Sequence, residues 1–423
     1  MNYKKIKNEA YNLHIINTDK YKKTVIKINF KNKNIKENIV PRRLIPTILS
    51  ESNNLYKTKR LLSIKTEELY NLSGGTDVTN SGESIITSFN ASFLNEKYAP
   101  GLFEDAFAFV TNIIFNPKVI NDSFDDKAFK YSCECLKEEI DVFNESPRAY
   151  AITKMLEKLS PDTPLSYPPY GTKKEIDKVK NKDVYKSYVD MLNNDVVDIF
   201  IIGNIPSNVE SIVKKHFKLK GKRNNTKHYI YHDKFTDKYN EYSDTKDYNQ
   251  STLLIGYKVD NLTTYERDYV MPIYTYILGG GPDSRLFKNV REKNSLCYSI
   301  SCSFKPLSNL MIISSGINAS SYKKALKLIK EEVSKMNKGE FDKKDIDNGK
   351  ITYLSAFEEV NDSIYSTLNT YVTREYLGTD LINTKKRKIK KVTKKDILNV
   401  IPKIHPEIVY LLEGGKENEK KNI

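Results

Sequence analysis

The sequence predicts an α+β fold of two similar-looking domains, each a largely antiparallel sheet with helices packed on one face. Three observations point to it. Segments of strand-like, period-two alternation occur in both halves, at residues 85–93 and 298–304. Each half closes on a short apolar strand before glycine, FIIGN in the first and VYLLEGG in the second. Between them, residues 218–248 are polar and charged with no sustained period, as expected of a linker. The 423-residue length suits this division, since domains hold roughly 100–200 residues.

In chain order, residues 25–30 read as a strand. Spaced Leu and Ile over about 43–70 read as helix, broken by Gly74-Gly75. Ile85, Thr87, Phe89, Ala91 and Phe93 alternate with Ser84, Ile86, Ser88, Asn90 and Ser92, the pattern of a strand buried on one face. The apolar stretch 103–115 is a helix ended by Asn116-Pro117. Residues 196–202 form a short strand, and Ser207-Asn208-Val209-Glu210 reads as a capping box for a helix reaching about Phe217. Residues 1–218 are thus the first domain and 219–248 the linker.

The order then repeats: strand 253–259, helix 267–278, a strand from Cys297, and a strand at 310–315. An amphipathic helix carrying Tyr322, Ala325, Leu326, Ile329, Val333 and Met336 follows, closed by Gly339. Residues 408–412 are the last strand. The second domain spans 249–414, and 415–423 is expected to be a mobile tail. Residues 83–115 and 295–333 share the order strand, loop, helix, which points to duplication.

Lys and Arg number 69 against 54 Asp and Glu, a formal charge of +15. The lysines are scattered, Trp is absent, and Asn, Ile and Tyr abound, a bias expected of AT-rich coding. The densest run, 385–395, is interrupted by Ile389 and Val392 and leads into the capping box Thr393-Lys394-Lys395-Asp396. It reads as a solvated helix approach, with nucleic acid not expected as a partner. No run reaches the ~18 apolar residues of a membrane span, and the N-terminus lacks an apolar signal core. Four cysteines, Cys133, Cys135, Cys297 and Cys302, make no disulfide framework in so long a chain. A cytoplasmic protein is expected.

Counting restricts metal chemistry. There are five histidines: His14, His216, His228, His232 and His405. The close pair His228/His232 would face one metal on a helix, but Tyr-Ile-Tyr between them favours extended structure, where the rings lie ~13 Å apart. No glutamate follows His228 to act as base. Cys133 and Cys135 are too close for a zinc knuckle and suit half-buried helix positions. A G-x-S-x-G elbow and a Walker motif are missing, and the Gly279–Ser284 turn lacks a phosphate-binding lysine. No catalytic metal is expected in this chain.

One segment carries a specific signal. An apolar helix ends in Gly279-Gly280-Gly281, then come Ser284-Arg-Leu-Phe287, Val290-Arg291-Glu-Lys293 and, seven residues beyond Arg291, Tyr298. Here the sequence resembles the C-terminal domain of the pitrilysin/insulinase family of zinc peptidases, the inverzincins. The match is specific over 278–304 and extends, in order and length, over about 12–414. The resemblance implies H-x-x-E-H on a helix of the first domain. At that place this chain has Arg43, Pro46 and Thr47, so the inverted zinc motif is missing. Glu139 falls near the third-ligand position and reads as a surface helix glutamate or a relic.

The chain therefore resembles the zinc-free partner subunits of heterodimeric members. The resemblance implies a zinc-bearing partner subunit, an unstructured peptide or precursor-peptide substrate, and zinc in the partner only. It also implies that Arg291 and Tyr298 donate hydrogen bonds to the substrate carbonyl and oxyanion in trans. From the residues alone, Tyr298 would join Ile300, Cys302 and Phe304 on a core face, and Arg291 would pair with a nearby acid. A structural pitrilysin-fold scaffold with no proteolytic role is the alternative, and a free-standing metallopeptidase using His228 and His232 a third reading.

Overall fold

The computed structural model describes residues 1–223 and 240–414; His228, His232, most of the 219–248 linker and the 415–423 tail lie outside the described residues. The chain divides into two compact units, and neither is one continuous half. The first comprises Met1–Asp141, 168–223 and Asp362–Val372. The second comprises Val142–Tyr167, 240–361 and 373–414.

Unit one holds β1 (Asn2–Lys7), β2 (Asn12–Asn17), β3 (Lys23–Lys33), β4 (Ser73–Ser81) and β5 (Ser84–Leu94). It also contains the short hairpin β6 (Val119–Ile120) and β7 (Ser123–Phe124), then β8 (Val196–Gly203). Six strands form one sheet in the order β1-β2-β8-β3-β5-β4, antiparallel except for β2 beside β8. Unit two holds β9 (Asn240–Thr245), β10 (Ser251–Val259), β11 (Cys297–Lys305), β12 (Leu310–Ile317) and β13 (Ile404–Glu413). Their order is β11-β12-β10-β13-β9, with β9 parallel to β13. The hairpin β4-β5 corresponds to β11-β12, β3 to β10, β8 to β13 and β2 to β9. This common strand order is stronger evidence of duplication than the slight sequence likeness.

Alternation builds the cores. Ile26, Ile28 and Phe30 of β3 and Phe89, Ala91 and Phe93 of β5 pack on Leu44, Ile48 and Phe107 of the helices Ile39–Glu51 and Leu102–Phe115. In unit two, Ile255, Ile313 and Val409 meet Ile273 and Ile277 of the helix Met271–Gly279 and Ile329 of the helix Tyr322–Asn337. Ile389 and Val392, which interrupt the basic run, are fully buried there. The run is pinned to the core, and Lys386 and Lys388 hold Glu358 and Asp380.

Several expectations change. Gly74 and Gly75 lie inside β4, and the helical stretch before them is two helices, Ile39–Glu51 and Lys59–Glu68. The Ser207–Glu210 box is not formed: the helix Val209–His216 starts from Asn208 with no side-chain cap. The Thr393–Asp396 box is formed. Strand β5 is buried on both faces, and each sheet carries cover on its second face. In unit two that cover is the helix Pro147–Leu159, whose Ala151 and Met155 pack on Leu254, Ile312, Ile408 and Tyr410. In unit one it is residues 362–372, where Tyr371 packs on Tyr3 and Thr367 bonds Tyr21 at 2.7 Å.

That second face of unit one carries a buried polar chain. Tyr3 Oη lies 2.9 Å from His14 Nδ1, His14 Nε2 lies 3.2 Å from Asp198 Oδ1, and Asn12 donates to the same oxygen at 2.9 Å. Burial alone would raise the Asp198 carboxyl, but the His14 and Asn12 bonds outweigh it and hold it below its usual value. Because it titrates below the unfolded value of about 3.9, its contribution is complete above that pH and fades as pH falls toward the folded value. Urea unfolding should therefore find wild type ahead of Asp198→Asn at pH 6, with the gap closing below pH ~4.

Candidate functional site

The apolar helix Met271–Gly279 ends with its last residue pressed on β11. A Cβ at Gly279 would meet Cys302 N at 2.7 Å and Cys302 Cβ at 2.8 Å. Only glycine permits this approach, which sets where β11 runs. Gly279→Ala should cost about 1–3 kcal/mol through overpacking, read as a lowered urea midpoint.

Past the glycines, Ser284 caps the turn by donating to Gly281 O at 2.6 Å, and the next helix widens to π geometry over Phe287–Glu292, with Lys293 N bonded to Lys288 O. Short π turns concentrate at functional sites. Arg291 stands on this turn, its guanidinium 4.5 Å from the Phe287 ring centre and its Nε 3.5 Å from Glu292. Its side chain remains 40% exposed. Ser295, at φ +50°, turns the chain from this helix into β11.

The register between β11 and β12 slips between Cys297 and Ser299, so Tyr298 is the extra residue of a β-bulge. The bulge changes the side-chain phase. Cys297, Ile300 and Cys302 are buried, whereas Tyr298 and Ser299 are both exposed. The alternating set that would have made Tyr298 a core tyrosine is thereby broken: it is 64% exposed. Its hydroxyl donates to Asn318 Oδ1 at a long 3.2 Å. Arg291 acts electrostatically on Cys297, directly before Tyr298; burial pushes that thiol up and the arginine charge opposes it. Asn318 gave no signal in the sequence, since its role depends on where β12 ends.

In unit one the helix Ile39–Glu51 presents Arg43, Pro46 and Thr47. Pro46 leaves Arg42 O without its helical donor and offers no side-chain ligand. Arg43 donates from Nε to Pro169 O at 2.9 Å and stacks 4.5 Å from the Tyr170 ring centre. Burial lowers its pKa, opposed by Tyr170, Asp77 and Glu139. Glu139 is raised by burial and lowered by Arg43. A permanent cation thus faces Glu139 where the resemblance would put a metal, and the donor set does not fit zinc. The cysteines are free, with Cys133 buried, its thiol pushed up to about 11 by burial, and Cys135 half-buried, both on the helix Asp126–Glu145.

Two sheets of matching strand order, a first unit with Arg43, Pro46 and Thr47 where the inverted zinc motif would stand, and a second with Arg291 at a π turn and Tyr298 at a bulge make up the candidate site. A sequence profile described as the Peptidase M16 inactive domain matches residues 178–353. It is 25% identical over 422 residues, 98% of both chains, to a Bacillus subtilis (strain 168) protein described as "Probable inactive metalloprotease YmfF". A crystal structure of a conserved protein from Enterococcus faecalis V583 shares the fold at TM-score 0.91 and 24% identity, covering 99% of this chain and all of that one. A peptidase M16 inactive domain from Pseudomonas fluorescens does so at TM-score 0.80 and 15% identity, over 98% and 99%. Among the described residues no helix is long and apolar enough to cross a membrane.

Proposed function

We propose that this chain is the non-catalytic subunit of a heterodimeric zinc metallopeptidase, positioning an unstructured peptide for a zinc-bearing family member. The observation that carries the reading is Tyr298, an aromatic donor held out of the sheet by a bulge, seven residues after the half-exposed Arg291. A chain that only supported a fold would gain nothing from exposing it. Hydrolysis needs zinc to activate water, a carboxylate base, and donors for the oxyanion. The partner supplies the first two; Tyr298 Oη and Arg291 supply the third. The relative named an inactive metalloprotease supports the missing self-sufficiency. Four free thiols suit a reducing cytoplasm. Substrates are precursor peptides, as in bacteriocin-type maturation, or oligopeptides being cleared.

The test is reconstitution. The chain alone should leave a quenched fluorogenic peptide intact, and addition of a zinc-bearing family member from the same host should give chelator-sensitive cleavage. Hydrolysis by the isolated chain with one bound zinc would reject the proposal. A stable complex that cleaves nothing would favour the scaffold reading.

A further inference from the structure

The bulge at Tyr298 puts it on the same side of β11 as Ser299, Ser301 and Ser303, opposite the buried Cys297, Ile300 and Cys302. A second guanidinium reaches that side. Arg148, near the start of the helix Pro147–Leu159, donates from Nη2 to Ser301 Oγ at 3.3 Å. Arg148 is exposed, and among the described residues it has no carboxylate within ion-pair distance. Three other unit-two arginines stand against acids: Arg285 holds Glu332 at 3.0 Å, Arg267 holds Asp268 at 2.6 Å, and Arg291 has Glu292 nearby. Around Arg148 this face offers serine hydroxyls, which donate to anions as readily as they accept.

We propose that Arg148 is a specificity residue, selecting a peptide carboxylate placed a few residues from the bond that Tyr298 addresses. The inference deepens the peptide-positioning reading and rests on it. Ser301 lies three residues from Tyr298, ~10 Å along an extended strand. A peptide lying in extended form along the free edge of β11 would bring a side chain two to four residues from the reacting carbonyl to Arg148. An unpaired guanidinium favours a planar carboxylate, which it can meet with two parallel bonds. The carboxylate is that of Asp or Glu, or the peptide's own C-terminus. The net charge of +15 attracts any acidic peptide, but that attraction has no dependence on position. Arg148 adds one.

The test is binding to the full chain, followed by fluorescence anisotropy, of labelled unstructured decapeptides in which one Asp is moved along an Asn-containing sequence. A second set carries C-terminal amides, which separates a side-chain from a terminal carboxylate. One position should bind about two- to fivefold tighter with Asp than with Asn, the scale of an exposed charge pair. Arg148→Gln should erase that difference and leave the all-Asn peptide unchanged, while Arg148→Lys keeps part of it. A preference that survives Arg148→Gln, or equal binding of Asp at every position, overturns the assignment. The two proposals fail separately. Tyr298→Phe acts on turnover of Asp and Asn peptides alike; wild-type turnover in that variant with the Arg148 preference intact would sink the catalytic-subunit reading only.

Discussion

In the reconstituted complex, Tyr298→Phe is expected to lower kcat by 10²–10³, with little change in KM. Loss of one oxyanion donor raises the barrier by roughly 2.7–4 kcal/mol. The phenol is free to serve in this way because its present bond, 3.2 Å to Asn318 and exposed, is weak and easily traded. Phenylalanine keeps the ring and the bulge and removes only the proton donor. Interactions made in the transition state alone show up in kcat rather than KM, so the split between the two constants identifies the role. Arg291→Ala should lower kcat strongly and also raise KM, because a guanidinium holds the peptide before reaction as well. Unchanged turnover in both variants, with the complex intact on gel filtration, would remove these residues from the chemistry.

Arg42→Ala should destabilise the chain by about 3–5 kcal/mol, a large part of the 5–15 kcal/mol typical of folded proteins. Arg42 is on the same helix as Arg43 and donates to both oxygens of Asp195, at 2.6 and 2.7 Å, with both residues buried. Asn32 adds a bond to Asp195 at 2.8 Å. Removing the arginine leaves a carboxylate in the interior with one neutral donor, and that stranded charge accounts for most of the loss. Replacing both partners, as Arg42→Met with Asp195→Leu, should cost less than either single change, since nothing charged is left behind. Guanidinium chloride midpoints for the three variants check the order; a double variant worse than the singles would show that the pair contributes more than mutual neutralisation.

The sequence announced much of the fold through period. Strands β5 and β11 were legible because their branched and aromatic residues alternate, and the helix Tyr322–Asn337 because its apolar residues recur every three or four positions. Strands β1 and β2 were not, because KKIK in β1 carries charge and β2 is buried on both sides, leaving no alternation to see. The second-face covers were hidden for a related reason. Ser88 and Asn90 look like a wet face, yet Ser88 is buried and donates to Asn29 at 2.8 Å. Short polar residues satisfied in pairs mimic solvent exposure. In the site, the seven-residue step from Arg291 to Tyr298 could be read directly. The bulge could not, because it is a property of pairing with β12 rather than of β11. Arg148 was missed because it is 153 positions from Ser301 and nothing local links them.

The reciprocal loan of helices between the halves has a consequence for biosynthesis. When residue 223 leaves the ribosome, the first sheet has all its strands but not the segment around Tyr371 that belongs on its back. At 5–20 residues per second, roughly 150 further residues mean a delay on the order of 10 s. Throughout that interval the nascent polypeptide carries an unfinished surface of apolar and hydrogen-bonding groups, so completion of the first unit awaits near-complete translation.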